Sequence, residues 1–165
     1  GGELLGGDVL CGAPGWVGGR IVRFRPPGVA RILTITETEA YMGESDTACH
    51  ARHGRTKRNA PLYMRGGIFY VYLCYGVHWL LNAITGEEDR PQGVLIRACE
   101  GYPAPGRLTK ALALRGDFTA KVVDECPELW FAARERGFSV GTAERVRIGF
   151  LPPEAQARPW PFVAE

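Results

Sequence analysis

The chain has 165 residues, of which 45% are hydrophobic and 23% charged, and its formal net charge is +2. This length and composition favour one globular domain over residues 1–165 and argue against a fibrous or low-complexity protein. No apolar run approaches the roughly 20 residues needed to cross a membrane, and the first residues lack the pattern of a signal peptide. We therefore expect no membrane partner.

The five cysteines are odd in number and widely spaced, and no Cys-x-x-Cys pair occurs. This usage predicts reduced thiols in an intracellular protein rather than a disulfide framework. Cys49, His50 and His53 are candidate metal ligands, but a fourth ligand at suitable spacing is missing. We therefore expect no metal and no other cofactor.

Two strands are predicted early in the chain, over residues 19–25 and 30–41, the second because residues 30–37 are rich in β-branched residues. Side chains two residues apart on a strand face the same side. Glu39 and Tyr41 should therefore face one space, with Glu37 behind them. A carboxylate beside an aromatic ring suits a flat, electron-poor substrate that is attacked by water.

Basic residues dominate the segment 52–65, which contains no acidic residue. They are Arg52, Arg55, Lys57, Arg58 and Arg65. Because the net charge of the whole chain is only +2, this charge is local and indicates contact with a polyanion at one surface. A solvated loop is the alternative for such a run taken alone. Its position after the strand with Glu39 and Tyr41 favours nucleic acid.

A β-hairpin is predicted from two β-prone runs, residues 68–74 and 77–84, which flank a Tyr-Gly turn. Within the first run, Tyr70 and Tyr72 alternate onto one face. Tyr75 at the tip should be exposed, where an aromatic ring can act as a wedge between base pairs. Simple packing is the alternative for these aromatic residues, and we expect it for Tyr70.

The remaining sequence pattern predicts two further strands and two helices. The strands cover 93–99 and 144–150, and the helices cover 106–114 and 128–136, the second with Gly137 as C-cap. The Pro-rich stretch 158–162 is expected to be irregular. Together the elements predict an α+β fold, a single mixed domain with a curved, mostly antiparallel β-sheet, a protruding β-hairpin and surrounding helices.

Several of these motifs, in this order, resemble the alkyladenine (3-methyladenine) DNA glycosylase family. The matching segments cover most of residues 30–115 and are Glu37-Thr-Glu39-Ala-Tyr41, Ala48-Cys-His50, Gly54-Arg-Thr-Lys-Arg-Asn59, Phe69-Tyr-Val-Tyr72, Tyr75-Gly76, Asn82, Val94-Leu-Ile-Arg97-Ala and Pro105-Gly-Arg-Leu-Thr-Lys-Ala-Leu112. So many ordered matches are more specific than one short motif. Residues 1–29 match the family poorly.

The resemblance implies a base-excision-repair enzyme that flips an alkylated or deaminated purine, such as hypoxanthine, out of duplex DNA and hydrolyses its N-glycosidic bond. At the matching positions, Glu39 activates the water, and Arg97 helps to hold Glu39 and that water. The flipped base is sandwiched by Tyr41 and His50 on one side and by Tyr72 on the other.

Other matched residues concern the choice of lesion and contact with DNA. Asn82 occupies the position that crowds the 2-amino group of guanine, and the tip tyrosine fills the gap left in the duplex. The residues expected to contact DNA are Tyr75, Arg52, Arg55, Lys57, Arg58 and Arg107. No matched position supplies a lysine beside the sugar, so we expect a monofunctional glycosylase, acting as a monomer. Its location would be the bacterial cytoplasm at the nucleoid, or the nucleus of a eukaryote.

Two other functions fit parts of the pattern. Glu37 and Glu39 would lie roughly 6.5–7 Å apart along a strand, near the lower end of carboxyl separations in inverting carbohydrate glycosidases. A non-enzymatic damaged-DNA-binding protein could use the same fold, but a carboxylate near phosphates weakens binding, so Glu39 would have little use there. Activity on a reporter glycoside, or damage-specific binding without product, would distinguish these functions.

Overall fold

The structure is a computed structural model that describes residues 16–42, 54–132, 140–142 and 161–164. Its strands are β1 (Arg20–Arg25), β2 (Val29–Met42), β3 (Ile68–Cys74), β4 (His78–Ile84), β5 (Gln92–Cys99), β6 (Leu129–Ala132), β7 (Val140–Thr142) and β8 (Pro161–Ala164). The helix α1 spans Pro105–Ala111, and 3₁₀ turns span Ala60–Tyr63, Gly116–Phe118 and Val123–Glu125.

The strands form one curved antiparallel sheet. Its order is β3-β4-β5-β2-β1-β6, with β8 paired to both β2 and β7. All the pairs between these strands are antiparallel. The predicted α+β class with a curved, mostly antiparallel sheet is therefore confirmed.

The long strand β2 organises the sheet. Its first half pairs with β1, and its second half pairs with β5 and, over residues 37–39, with β8. The register against β5 shifts on both sides of Glu37, because Thr36 and Arg97 have no opposite partner. Such bulges increase the local twist and re-aim side chains. They occur beside the carboxylates that the sequence singles out.

Two clusters of buried side chains lie on opposite faces of the hairpin strands. The larger cluster contains Phe69 and Val71 and packs against residues of α1 such as Leu108. The smaller one contains Tyr70 and Ile84, with the partly buried rings of β2 and β3 against it. The alternation along β3 therefore separates a core face from an aromatic face.

The predicted hairpin is confirmed, since β3 and β4 pair along their whole length. Cys74 pairs with His78, so the loop has three residues, Tyr75, Gly76 and Val77. A β-turn within it is closed by the Val77 amide, which donates to the Cys74 carbonyl at 3.0 Å. Tyr75 and Gly76 have φ angles of 50° and 66°, and a type I′ turn needs positive φ at both central positions. Glycine adopts this region freely, whereas tyrosine does so rarely. The tip therefore holds an aromatic residue in strained backbone.

The helix predicted over residues 128–136 is wrong where the structure describes it. Leu129–Ala132 is a strand that pairs with β1. Phe131 packs against Trp16, with ring centroids 4.7 Å apart, and against Phe69, at 5.6 Å. Strand pairing and aromatic packing therefore override the local helical propensity.

The C-terminal predictions are partly wrong and partly outside the described residues. Pro161 and Phe162, expected to be irregular, begin β8. The predicted strand over 144–150 and the C-cap Gly137 lie outside the described residues. The helix predicted over 106–114 is confirmed as the shorter α1.

The described residues contain neither a candidate membrane-spanning helix nor a candidate metal-binding group. Among them, no helix is long and apolar enough to cross a membrane. No group of three or more His, Cys, Asp or Glu side chains in the same part of the chain could hold a metal ion. The candidate ligands Cys49, His50 and His53 lie outside it. Burial raises the pKa of the Cys99 thiol to about 12, so this thiol is protonated and unreactive at neutral pH.

Gly86, in the loop between β4 and β5, leaves no room for a side chain. A Cβ added there would lie 2.2 Å from the carbonyl oxygen of Arg90. We expect Gly86→Ala to lower the free energy of unfolding by about 1–3 kcal/mol, because backbone must shift to relieve the overlap. Urea denaturation would measure the change. Gly28→Ala is the control, since nothing lies within 4 Å of its added Cβ; equal losses in the two variants would contradict this prediction.

Candidate active site

A row of side chains crosses the aromatic face of the sheet. Tyr70 pairs with Asn82, Asn82 with Leu95, and Leu95 with Glu39. Directly paired residues on neighbouring strands point to the same side of a sheet. The register therefore places Glu39, the candidate base, and Asn82, the candidate specificity residue, on one face. They lie two strands and roughly 10 Å apart.

Glu39 and Tyr41 form a hydrogen-bonded pair. The Tyr41 hydroxyl donates to Glu39 Oε2 at 3.1 Å, which confirms that the two side chains face one space. Glu39 is only 3% exposed. A donor directed at the carboxylate favours its ionised form, which is the form that can accept a proton from water.

Arg97 contacts the neighbouring carboxylate. Its Nε lies 3.9 Å from Glu37 Oε2, and the residue is 8% exposed. Among the described residues, Nη1 of this guanidinium has no hydrogen-bond partner. A buried donor normally binds a polar group or ordered water. Among the described residues, this guanidinium therefore keeps one donor that a water molecule or an anionic oxygen can accept.

Asn82 is fixed by the backbone. Its Nδ2 donates to the carbonyls of Tyr70, at 3.1 Å, and Leu80, at 3.3 Å. Because an amide nitrogen has two hydrogens, both are engaged, and the side chain is held in one orientation on this face of the sheet. Tyr72 lies two residues along β3, with its ring centroid 5.1 Å from that of Tyr70.

The half-buried rings of Tyr41 and Tyr72 both pack against the smaller cluster. The structure thus brings together on one face the predicted residues Glu39, Tyr41, Tyr72 and Asn82. The strand register places these four side chains on the same face. His50, the third predicted stacking residue, lies outside the described residues.

The hairpin tip is the most exposed aromatic site of the described residues. Tyr75 is 72% exposed and Val77 is 69% exposed. The prediction that the Tyr75 ring is exposed at the tip is confirmed.

The candidate DNA-contacting basic residues differ in what they contact. Arg55 lies 3.4 Å from Asp89 and, at 5.5 Å from the ring centroid, over Tyr63. Lys57 is exposed, and no hydrogen bond or ion pair joins it to another described residue. Arg107 is exposed on α1. Arg52 lies outside the described residues.

Arg58 behaves differently from the other basic residues, because its Nη2 donates to the carbonyl of Leu73 in β3. The sequence pattern missed this contact. The one sequence feature that points to this contact is that the basic loop directly precedes the hairpin in the chain. This proximity does not indicate which hairpin residue Arg58 contacts.

Comparison with known proteins adds independent information. The family model described as methylpurine-DNA glycosylase matches residues 4–104. The match therefore also includes residues 4–29, which the sequence motifs alone match poorly.

Three bacterial relatives each carry the provisional name 3-methyladenine DNA glycosylase. The Nitrosococcus oceani protein is 59% identical over 69 residues, which are 42% of this chain and 34% of that protein. The Chlamydia abortus protein is 36% identical over 152 residues, 78% of each chain. The Anaeromyxobacter dehalogenans protein is 39% identical over 160 residues, 87% of this chain and 73% of that one. The chain therefore belongs to the methylpurine-DNA glycosylase family.

Proposed function

We propose that this protein is a monofunctional DNA glycosylase of base-excision repair, which flips a damaged purine out of duplex DNA and hydrolyses its N-glycosidic bond. Residues 1–165 would fold as one domain and act as a monomer, without a cofactor. The observation that carries the proposal is the hydrogen-bonded pair of Glu39 and Tyr41 on an aromatic face of the sheet. The family and the names of the bacterial relatives support the same reaction, and the bacterial relatives are consistent with action at a nucleoid.

In this proposal Glu39 is the general base. It accepts a proton from water while the water oxygen bonds to C1′ and the base leaves with the electrons of the N-glycosidic bond. Such a base contributes about 10²- to 10⁴-fold to a rate. A 3- or 7-alkylated purine is already cationic and leaves readily, so one carboxylate suffices. Neutral hypoxanthine would also need a proton as it leaves.

The aromatic side chains would bind the flipped base. Stacking of a cationic purine on Tyr41 and Tyr72 contributes roughly 0.5–2 kcal/mol per ring through cation–π attraction. His50 would complete the sandwich. Asn82, held rigidly by two backbone carbonyls, would crowd the 2-amino group of an undamaged guanine, because its side chain cannot turn away without losing both hydrogen bonds.

Arg97 would hold the water rather than take the proton. Its Nη1, which has no hydrogen-bond partner within the described part of the chain, can donate to a water or to a phosphate oxygen of the flipped nucleotide. Its contact with Glu37 gives that residue a structural role. This pairing also argues against a carbohydrate glycosidase, in which both Glu37 and Glu39 would have to act on the substrate.

Duplex DNA would lie against the hairpin tip and the basic surface. Tyr75 would fill the gap left by the flipped nucleotide, and flipping costs a few kcal/mol, less for damaged bases. The residues assigned to the backbone phosphates are Arg52, Arg55, Lys57 and Arg107.

A strand-cleaving lyase step would need a lysine at the sugar. The three lysines of the chain are Lys57, Lys110 and Lys121. Lys110 is exposed in the last turn of α1, and Lys121 lies over the Phe118 ring at 4.6 Å. None belongs to the strands that carry the catalytic candidates, so borohydride should trap no covalent complex with DNA.

Single-turnover base release tests the proposal. The substrates are duplex oligonucleotides with hypoxanthine or etheno-adenine, and randomly methylated DNA, and binding to each is measured in parallel. Release from at least one substrate, without strand cleavage, is the expected result. Tight damage-specific binding without release would favour the non-enzymatic binder, and hydrolysis of a reporter glycoside instead would favour the carbohydrate enzyme.

A further inference from the structure

β3 is an edge strand, and its outward backbone groups need partners. At Phe69 these partners are backbone groups, since its N–H donates to Lys121 O at 3.0 Å and its carbonyl accepts from Ala120 N at 2.9 Å. At Val71 a side chain takes over, because Thr119 Oγ1 accepts from the Val71 amide at 3.0 Å and donates to the Val71 carbonyl at 2.9 Å. Unpaired edge groups are otherwise left to solvent or to another chain.

Arg58 occupies the next place along this edge. Its guanidinium donates to the Leu73 carbonyl, which is two residues before Tyr75. The Arg58 carbonyl in turn accepts a hydrogen bond from the Tyr70 hydroxyl at 3.3 Å. Arg58 is therefore joined to β3 at two points, one beside the aromatic face and one beside the hairpin tip.

The loop that carries Arg58 is itself braced. Asn59 Oδ1 accepts from the Thr56 amide at 2.7 Å, and Thr56 Oγ1 accepts from the Asn59 amide at 3.2 Å. Asn59 Nδ2 also donates to the Gly54 carbonyl at 3.0 Å. These reciprocal bonds hold the loop in one conformation, so the contact from Arg58 to the hairpin starts from a fixed base.

Electrostatics at the tip agree with this geometry. Burial raises the pKa of the Cys74 thiol, and the positive charge of Arg58 opposes that rise. The guanidinium therefore lies close enough to the residue preceding Tyr75 to affect its ionisation.

We propose that Arg58 is a positioning residue, which holds the hairpin tip and its Tyr75 wedge against the basic loop, rather than a phosphate contact. This inference rests on the proposed function, because the wedge has a role only if a nucleotide is extruded. At Phe69 the outer edge of β3 is hydrogen-bonded to a neighbouring main chain. Beyond Val71 the Arg58 side chain takes that place, at the Leu73 carbonyl.

The test compares Arg58→Ala with Lys57→Ala, a matched variant that removes one positive charge from the same loop. Binding to lesion-bearing duplex and single-stranded oligonucleotides is measured over a range of salt concentrations. For Arg58→Ala we expect about a 3- to 10-fold loss on duplex, the size of one lost hydrogen bond, and a change of less than about twofold on single strands with an unchanged salt slope. For Lys57→Ala we expect the salt slope to fall by about 1.

Two further variants keep the inference falsifiable. Arg58→Lys retains the charge but lacks the guanidinium fork, so the duplex-specific loss should persist; complete recovery would overturn the inference. In a Tyr75→Ala background, Arg58→Ala should add little, because both changes act on the same step. Full additivity, or a reduced salt slope for Arg58→Ala with equal losses on both substrates, would assign Arg58 to phosphate.

These binding measurements do not depend on catalysis. Failure of the wild type to release any base, with the predicted binding pattern intact, would overturn the proposed reaction but retain the role of Arg58. Normal base release by the wild type would support the proposed reaction. If Arg58→Ala then showed a reduced salt slope and equal losses on both substrates, the positioning role of Arg58 would be overturned while the reaction was retained.

Discussion

Glu39→Gln is expected to slow single-turnover base release by about 10²- to 10⁴-fold, the range contributed by a general base. The affinity for lesion-bearing duplex should change by no more than about threefold, since the amide has the same shape and Tyr41 can still donate to its oxygen. The variant loses the capacity to accept a proton from water. Base release under enzyme excess, with binding measured separately, would establish the separation.

Glu37→Gln is the matched control for this prediction. Glu37 is two residues away on the same strand, but its carboxylate contacts Arg97 and its side chain is 38% exposed. Removing this charge weakens an ion pair at the edge of the site, so we expect a loss of about tenfold or less, the size of one partly exposed charged contact. A larger loss for Glu37→Gln than for Glu39→Gln would identify Glu37 as the base. Loss of binding and release together in Glu39→Gln would make Glu39 structural.

The features that could be predicted from the sequence depend on short-range periodicity. Alternation of side chains along one strand is enough to place Glu39 beside Tyr41 and to put Tyr70 and Tyr72 on one face. The hairpin follows from two β-prone runs around a Tyr-Gly turn, since Gly76 supplies one of the two positive φ angles. These features need no information about distant parts of the chain.

The row of side chains across the sheet could not be derived in that way. Asn82 meets the face of Glu39 only because β4 and β5 pair in one register, and register depends on contacts that the local pattern does not contain. The bulges beside Glu37 are also decided by pairing between strands. For this reason the family resemblance alone identifies Asn82 and Arg97 as candidate site residues.

Two further results depended on tertiary contacts. The segment 128–136 has a pattern that favours a helix, yet the free edge of β1 and the Trp16 ring make Leu129–Ala132 a strand. Arg58 resembles a phosphate ligand by its position in a basic run, yet it satisfies a carbonyl on an edge strand. In both places a partner distant in sequence decides the outcome, and a local pattern cannot identify such a partner.

Tyr75→Ala is expected to weaken capture of a lesion in duplex DNA by roughly 5- to 150-fold, which corresponds to the 1–3 kcal/mol of one base–aromatic stacking contact. On single strands the loss should be less than about threefold, because no gap in a base stack has to be filled there. Binding and single-turnover release on matched duplex and single-stranded substrates would measure both effects. Tyr75→Phe, which keeps the ring, should resemble the wild type, and equal losses on the two substrates would contradict the wedge.

Tyr75→Gly separates the function of this residue from its contribution to folding. Tyr75 has a φ angle of 50°, a conformation that costs a non-glycine residue about 1–2 kcal/mol. Glycine removes that strain, although it gives back about 0.5–1 kcal/mol through the greater freedom of the unfolded chain. The variant should therefore be at least as stable as the wild type in urea denaturation, yet lose lesion capture as Tyr75→Ala does. A marked loss of stability would mean that the ring supports the hairpin itself, whereas retained stability with lost capture would mean that the strain at the tip is tolerated for the sake of the exposed ring.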